Sequence, residues 1–67
     1  MKATEITPKE KRCGAGPCPA VFRTESGKIL VVGTIPAANE LPLNVRRKIG
    51  RGETVVEIPP GVLPPSV

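Results

Sequence analysis

The chain has 67 residues, with ten lysines and arginines against six glutamates, and a net charge of +4. It contains no histidine, no aspartate and one aromatic residue, so the paired groups of acid–base or nucleophilic catalysis are missing, and we expect neither an enzyme nor a cofactor. A monomer of this size buries only about 60% of its unfolded surface, which favours association with a second chain.

Residues 1–19 form a polar, basic N-terminal segment with little to bury, which predicts a flexible region outside the folded domain. Its first residues, MKATEITPKEKRCG, lack the apolar stretch of a signal peptide. No run in the sequence approaches the roughly 18 apolar residues of a transmembrane helix. We therefore expect a cytoplasmic protein without a membrane partner.

Two cysteines, Cys13 and Cys18, lie near the end of this segment. They could close a small disulfide, supply half of a four-thiolate zinc site shared by two chains, or form a redox-responsive pair. Because cytoplasmic thiols are usually reduced and one chain offers too few zinc ligands, we interpret them as free thiols. Lys11 and Arg12 precede Cys13 and favour its thiolate.

Residues 20–58 hold nearly all the large apolar side chains and are the expected folded domain. Two β-prone runs, 20–24 and 28–32, flank a three-residue loop that ends in Gly27. Such a loop is typical of a hairpin whose last loop residue has a positive φ. The resulting register pairs Thr24 with Lys28, Arg23 with Ile29, Phe22 with Leu30, and Val21 with Val31.

This hairpin is predicted to be apolar on both faces. The face expected to meet the core carries Ala20, Phe22, Leu30 and Val32. The opposite face carries Val21, Ile29 and Val31, relieved only by Arg23. Two strands that are apolar on both sides expose more apolar surface than the rest of one small chain can bury. This predicts an intertwined or domain-swapped homodimer. Its interface is expected to contain Val21, Phe22, Ile29 and Val31.

A short helix and a third strand are predicted after the hairpin. Pro42 suits the first turn of a helix, and Val45 and Ile49 lie four residues apart on one face. In residues 53–58, Val56 and Ile58 share one face with Thr54, and Val55 lies between the two glutamates on the other face, which predicts a strand that the following proline pair ends. The predicted fold is therefore α+β and mostly β, a three-stranded antiparallel sheet in the order β-β-α-β with one short helix.

The C-terminal segment, residues 59–67 with the sequence PPGVLPPSV, is rich in proline. Proline lacks the N–H that a strand or helix needs. We therefore expect a polyproline-like or disordered tail.

A basic cluster, defined as Arg46, Arg47, Lys48 and Arg51, follows the predicted helix. Positive charge at a helix C-terminus is favoured by the helix dipole, so the cluster could be a solvated helix end. It could also contact DNA phosphates, with two copies in a dimer. No aromatic side chains accompany it, which disfavours single-stranded nucleic acid bound by base stacking.

Residues 18–33, CPAVFRTESGKILVVG, and 52–59, GETVVEIP, resemble small bacterial proteins. In those proteins a C-P-x-V-[FY]-x-T-[DE]-x-G-x-x-V-V-x-G stretch is followed by a G-E-T-x-V-x-[IV]-P strand. That resemblance implies no established activity.

Residues 41–50, LPLNVRRKIG, with Gly52 and Glu53, are similar to the core of AbrB-type swapped-hairpin transcription regulators. In that family a proline-initiated short helix precedes a turn and a strand. The resemblance implies an intertwined dimer that binds DNA through basic residues.

The sequence therefore predicts a non-enzymatic binding or regulatory module that acts as a homodimer on an unknown protein partner. One alternative is a DNA-binding regulator that uses the basic cluster. Another is a zinc- or redox-responsive protein that uses the two cysteines.

Overall fold

The computed structural model describes residues 1–14 and 16–65. Their centre is a three-stranded antiparallel sheet in the order β1-β2-β3. The predicted class, α+β and mostly strand with one short helix, is confirmed. In chain order, the elements are β1 (Ala3–Glu5), a 3₁₀ turn (Lys9–Lys11), β2 (Ala20–Thr24), β3 (Ile29–Val32), a 3₁₀ turn (Ala38–Glu40) and α1 (Leu43–Arg46).

The hairpin of β2 and β3 has the predicted register, from Ala20 opposite Val32 to Arg23 opposite Ile29. Its turn closes through a hydrogen bond from the Gly27 N–H to the Thr24 carbonyl at 3.0 Å. Gly27 has a φ of +87°. A residue with a Cβ atom is strained at this angle, whereas glycine adopts it freely. The three-residue loop is thus set by local chemistry.

The third strand of the sheet comes from the N-terminal segment. β1 pairs antiparallel with β2, with Ala3 opposite Thr24 and Glu5 opposite Phe22. Backbone groups make this pairing, so it needs no apolar side chains and leaves little trace in the sequence pattern. The prediction that residues 1–19 lie outside the folded domain is therefore corrected, because residues 3–5 belong to the sheet.

Thr7 and Arg12 hold this segment in place beyond the end of β1. Thr7 is 1% exposed, and its Oγ1 accepts a hydrogen bond from the Val21 N–H at 2.8 Å. Arg12 Nε donates to the Thr7 carbonyl at 2.7 Å, and Arg12 Nη2 donates to the Glu5 carbonyl at 3.3 Å. Sequence reasoning missed both roles, since a hydroxyl and a guanidinium bonded to backbone groups have no periodic signature.

The predicted strand at residues 53–58 is reduced to one isolated bridge, between Thr34 and Glu57. The Thr34 N–H donates to the Glu57 carbonyl at 3.0 Å, and the Glu57 N–H donates back at 2.7 Å. The next ladder position is Pro59, which has no N–H to donate, so pairing stops. The prediction of a β-β-α-β order is corrected to β-β-β-α.

The predicted helix is present and short. Pro42 is the N-cap of α1, and the chain continues past Arg46 in 3₁₀-type turns, with the Ile49 N–H donating to the Arg46 carbonyl at 3.2 Å. No helix within residues 1–14 and 16–65 has the length and apolar character needed to cross a membrane.

The core is small and draws on β2 and on the C-terminal segment. Its fully or nearly buried apolar residues are Ala20, Val21 and Val62, which are 9%, 0% and 2% exposed. Val62 lies in the segment expected to be a disordered tail. There Pro60 and Gly61, with φ +87° at Gly61, form a turn closed by the Val62 N–H and the Pro59 carbonyl at 3.3 Å. The expectation of a disordered tail is therefore wrong for residue 62.

Candidate protein interface

β3 is an edge strand whose four apolar residues are all exposed. The exposed fractions are 36% for Ile29, 40% for Leu30, 38% for Val31 and 49% for Val32. Ile35, three residues further on, is 68% exposed and extends this apolar surface. An exposed apolar edge strand is a template for pairing with another chain.

The backbone of β3 also has one side on which residues 1–14 and 16–65 offer it no partner. In an antiparallel ladder, successive residues direct their N–H and C=O groups to alternate sides. Val21 directs its groups toward the N-terminal segment, since its carbonyl accepts from the Ile6 N–H at 2.8 Å and its N–H donates to Thr7 Oγ1 at 2.8 Å. Its partner across the hairpin, Val31, therefore directs its own groups to the outer edge, as does Ile29. We call these outward groups and the four side chains of Ile29–Val32 the β3 edge.

Burial in the hairpin follows strand position rather than face. The central strand β2 contributes the buried Ala20, Val21 and Thr24, whereas β3 contributes none. The expectation of a covered core face is wrong for Leu30 and Val32, which are 40% and 49% exposed on the edge strand.

Two of the four predicted dimer residues are not freely available to a partner. Val21 is 0% exposed within one chain, and Phe22 is half-buried. Both lie on the central strand, where β1 and β3 flank them. Of the four predicted dimer residues, Ile29 and Val31 are the two whose side chains are exposed in the single chain.

The single chain has more surface than a folded monomer of its mass. Its accessible area is 5449 Å², against about 4,000 Å² expected for a 7.0 kDa monomer. Its radius of gyration is 13.3 Å, against about 11 Å for a compact domain of this length. The excess exceeds the roughly 800 Å² that each partner buries in a typical stable interface.

Cys13 and Cys18 are joined by a disulfide, with their Cα atoms 6.2 Å apart. The interpretation as free thiols is therefore wrong for this structure, and sulfurs bonded to each other cannot act as zinc thiolates. The free-thiol interpretation followed from the reducing conditions expected in the cytoplasm, whereas the structure brings the two Cα atoms within bridging distance. Arg12, expected to favour the Cys13 thiolate, instead binds the Thr7 carbonyl.

Reduction of this disulfide is expected to lower the free energy of unfolding by about 2 kcal/mol, since the bond closes a short loop and restricts the unfolded chain. Urea unfolding with and without a reducing agent measures the difference. The double substitution Cys13→Ser and Cys18→Ser is the control. Its free energy of unfolding should equal that of the reduced wild-type protein and should not change when the reducing agent is added. Equal stability of the oxidised and reduced wild-type protein would contradict a structural contribution.

The four residues of the basic cluster are all exposed: Arg46, Arg47, Lys48 and Arg51. Arg46 ends α1, and the others lie in the turns that follow. α1 has four residues, about 6 Å of helix, which is too short to lie along a major groove as a recognition helix. The cluster is thus a charged surface without the element that usually reads DNA bases.

Among residues 1–14 and 16–65, no three Cys, His, Asp or Glu side chains come together as metal ligands could. No family model matches the chain, and neither a curated protein nor a solved structure matches it. The two resemblances drawn from the sequence therefore stay predictions.

Proposed function

We propose that this chain is a non-enzymatic protein-binding module that acts as a homodimer through its β3 edge. One observation carries the proposal: β3 is apolar on both faces, exposed along its whole length, and paired with no described residue on its outer side. The excess surface of the single chain supports it, because a second copy would cover area that a folded monomer of this mass does not normally expose.

Antiparallel pairing of two β3 edges about a two-fold axis satisfies the unpaired backbone groups. With the axis at Leu30, the outward N–H and C=O groups of Ile29 form hydrogen bonds with those of Val31 of the partner subunit. The two-fold axis repeats the same pair of bonds between Val31 of the first chain and Ile29 of the partner subunit. Lys28 then lies opposite Val32 of the partner subunit, so like charges are not placed across the ladder. The two three-stranded sheets become one sheet of six strands.

The oligomeric state tests this proposal directly. Sedimentation equilibrium of the wild-type protein at micromolar concentration should give twice the chain mass of 7.0 kDa. The physical reason is burial of the apolar β3 side chains together with new backbone hydrogen bonds. A folded protein that sediments at the chain mass up to 100 µM would overturn the homodimer.

A redox-responsive module is a second candidate, favoured by the position of the disulfide. Cys13 is exposed and Cys18 is half-buried, so a thiolate reductant can reach the bond. Cys18 lies two residues before β2, next to the strand that carries most of the core. Sedimentation of the reduced protein separates the candidates, since a redox role requires the dimer to change on reduction.

The DNA-binding alternative has less support. The exposure of the basic cluster favours it, but contacts with phosphates carry no sequence information by themselves.

A further inference from the structure

The disulfide between Cys13 and Cys18 closes a short loop immediately before β2. Both cysteines line a surface depression of about 350 Å³, together with Phe22 and Val32 of the hairpin. This volume lies within the range of small-ligand sites. The two cysteines are therefore placed where a small molecule can contact them.

The surroundings of Cys13 are open. Cys13 is exposed, and a Cβ atom built on Gly14 or Gly16 would meet no described atom within 4 Å. The described chain that follows Cys13 therefore leaves space for an incoming group.

Cys18 is held more firmly on its side of the bond. It is half-buried, and Pro17 and Pro19 flank it. A proline fixes its own φ and restricts the residue before it to extended conformations, so Cys18 has little backbone freedom. With both prolines, it also lines a second depression against Val32 and Gly33 at the end of β3. Of the two cysteines, Cys13 therefore offers the freer approach.

Charge contributes little to the choice between the two sulfurs. Residues 9–12 carry three cations and one glutamate, and Glu5 lines the depression. The small positive excess acts on both sulfurs alike, because they are bonded to each other. Access therefore decides which sulfur an incoming thiolate attacks.

We propose that the Cys13–Cys18 disulfide is a thiol–disulfide exchange site for thiols of low molecular mass, with Cys13 as the sulfur attacked. The thiolate sulfur bonds Cys13 Sγ, the bond between the two cysteines breaks, and Cys18 leaves as a thiolate that takes a proton from water. A second thiolate then displaces Cys13, which releases the oxidised thiol as a disulfide and leaves both cysteines reduced. The inference rests on the redox-responsive candidate and is independent of dimerisation.

The urea dependence of reduction tests whether the folded protein reacts. The probe is reduced glutathione, added to the oxidised full-length protein, and the control is an oxidised six-residue peptide with the sequence of residues 13–18. We expect the rate constant of the protein, divided by that of the peptide, to stay constant up to the start of the unfolding transition. If the bond reacted only in the unfolded chain, this ratio would rise about fivefold per molar of urea.

The position of the bound glutathione tests which sulfur is attacked. Early samples are quenched with N-ethylmaleimide, and tandem mass spectrometry locates both groups. We expect glutathione on Cys13 and the maleimide on Cys18, in an excess of about tenfold over the reverse arrangement, because access controls the rate. The matched variants Cys18→Ser and Cys13→Ser each keep one thiol. With oxidised glutathione, the first should form its mixed disulfide faster than the second.

Two results would each overturn the inference: a rate ratio that rises with urea as unfolding does, or glutathione on Cys18 as often as on Cys13. Exchange at Cys13 without any change of the sedimenting mass on reduction would instead refute the redox-responsive candidate alone. A sedimenting mass that changes on reduction, together with exchange that follows unfolding, would refute the exchange site alone.

Discussion

Val31→Lys is expected to convert the dimer into a folded monomer. In the proposed pairing, each dimer would place two lysines in an apolar strand interface, where an unpaired charge is costly. We expect the dimer dissociation constant to rise at least about 100-fold, equivalent to roughly 2.7 kcal/mol. Within one chain the position is 38% exposed, so the lysine can reach water and the monomer should fold. Sedimentation equilibrium with far-UV circular dichroism measures both results.

Leu63→Lys is the matched control for this experiment. Leu63 is 48% exposed and lies outside the β3 edge, so the same added charge and a similar loss of apolar surface should leave the dimer intact. A Val31→Lys protein that dimerises as tightly as the wild type would refute the β3 edge as the interface. Dissociation by Leu63→Lys as well would show that net charge, rather than the β3 edge, controls association.

Gly33→Ala is expected to lower the free energy of unfolding by about 2 kcal/mol, the middle of the range for overpacked sites. A methyl group at Gly33 would clash with the Glu57 carbonyl oxygen and lie 2.9 Å from Ile58 Cγ2. Backbone would have to move, and the bridge between Thr34 and Glu57 would loosen. For a domain of this size the melting temperature should fall by about 8–16 °C, measured by thermal circular dichroism at one fixed protein concentration.

Gly14→Ala separates this clash from the general effect of replacing a glycine. A methyl group built on Gly14 meets nothing within 4 Å, so we expect little change in melting temperature. If Gly33→Ala were as stable as Gly14→Ala, the packing of residues 57–58 against the end of β3 would be refuted.

The sequence predicted the parts of the fold that neighbouring residues control. The hairpin register follows from the β-prone runs and from Gly27, since only a few residues must agree for the loop to close. The start of α1 follows from Pro42, which presets its own φ and lacks the N–H that a first helical turn leaves unpaired. The apolar surface at Ile29 and Val31 was likewise predictable from the sequence, because successive residues of a strand lie on alternate faces.

Other features depend on contacts between distant residues. The pairing of β1 with β2 joins residues about 20 positions apart through backbone groups alone, so no pattern of side chains predicts it. The disulfide depends on how the loop of residues 13–18 folds, and the cysteine spacing allowed several outcomes.

By itself, the sequence determined a small, basic chain without histidine or aspartate, with a β-hairpin that is apolar on both faces. Only the tertiary structure decided which of those apolar residues remain available. Val21 and Val31 have the same side chain and face each other in the hairpin, yet one is 0% exposed and the other 38%. The difference arises because β1 pairs with β2 and makes it the central strand, whereas nothing among the described residues pairs with the outer side of β3. Burial depends on that neighbour, which residue type and alternation do not specify.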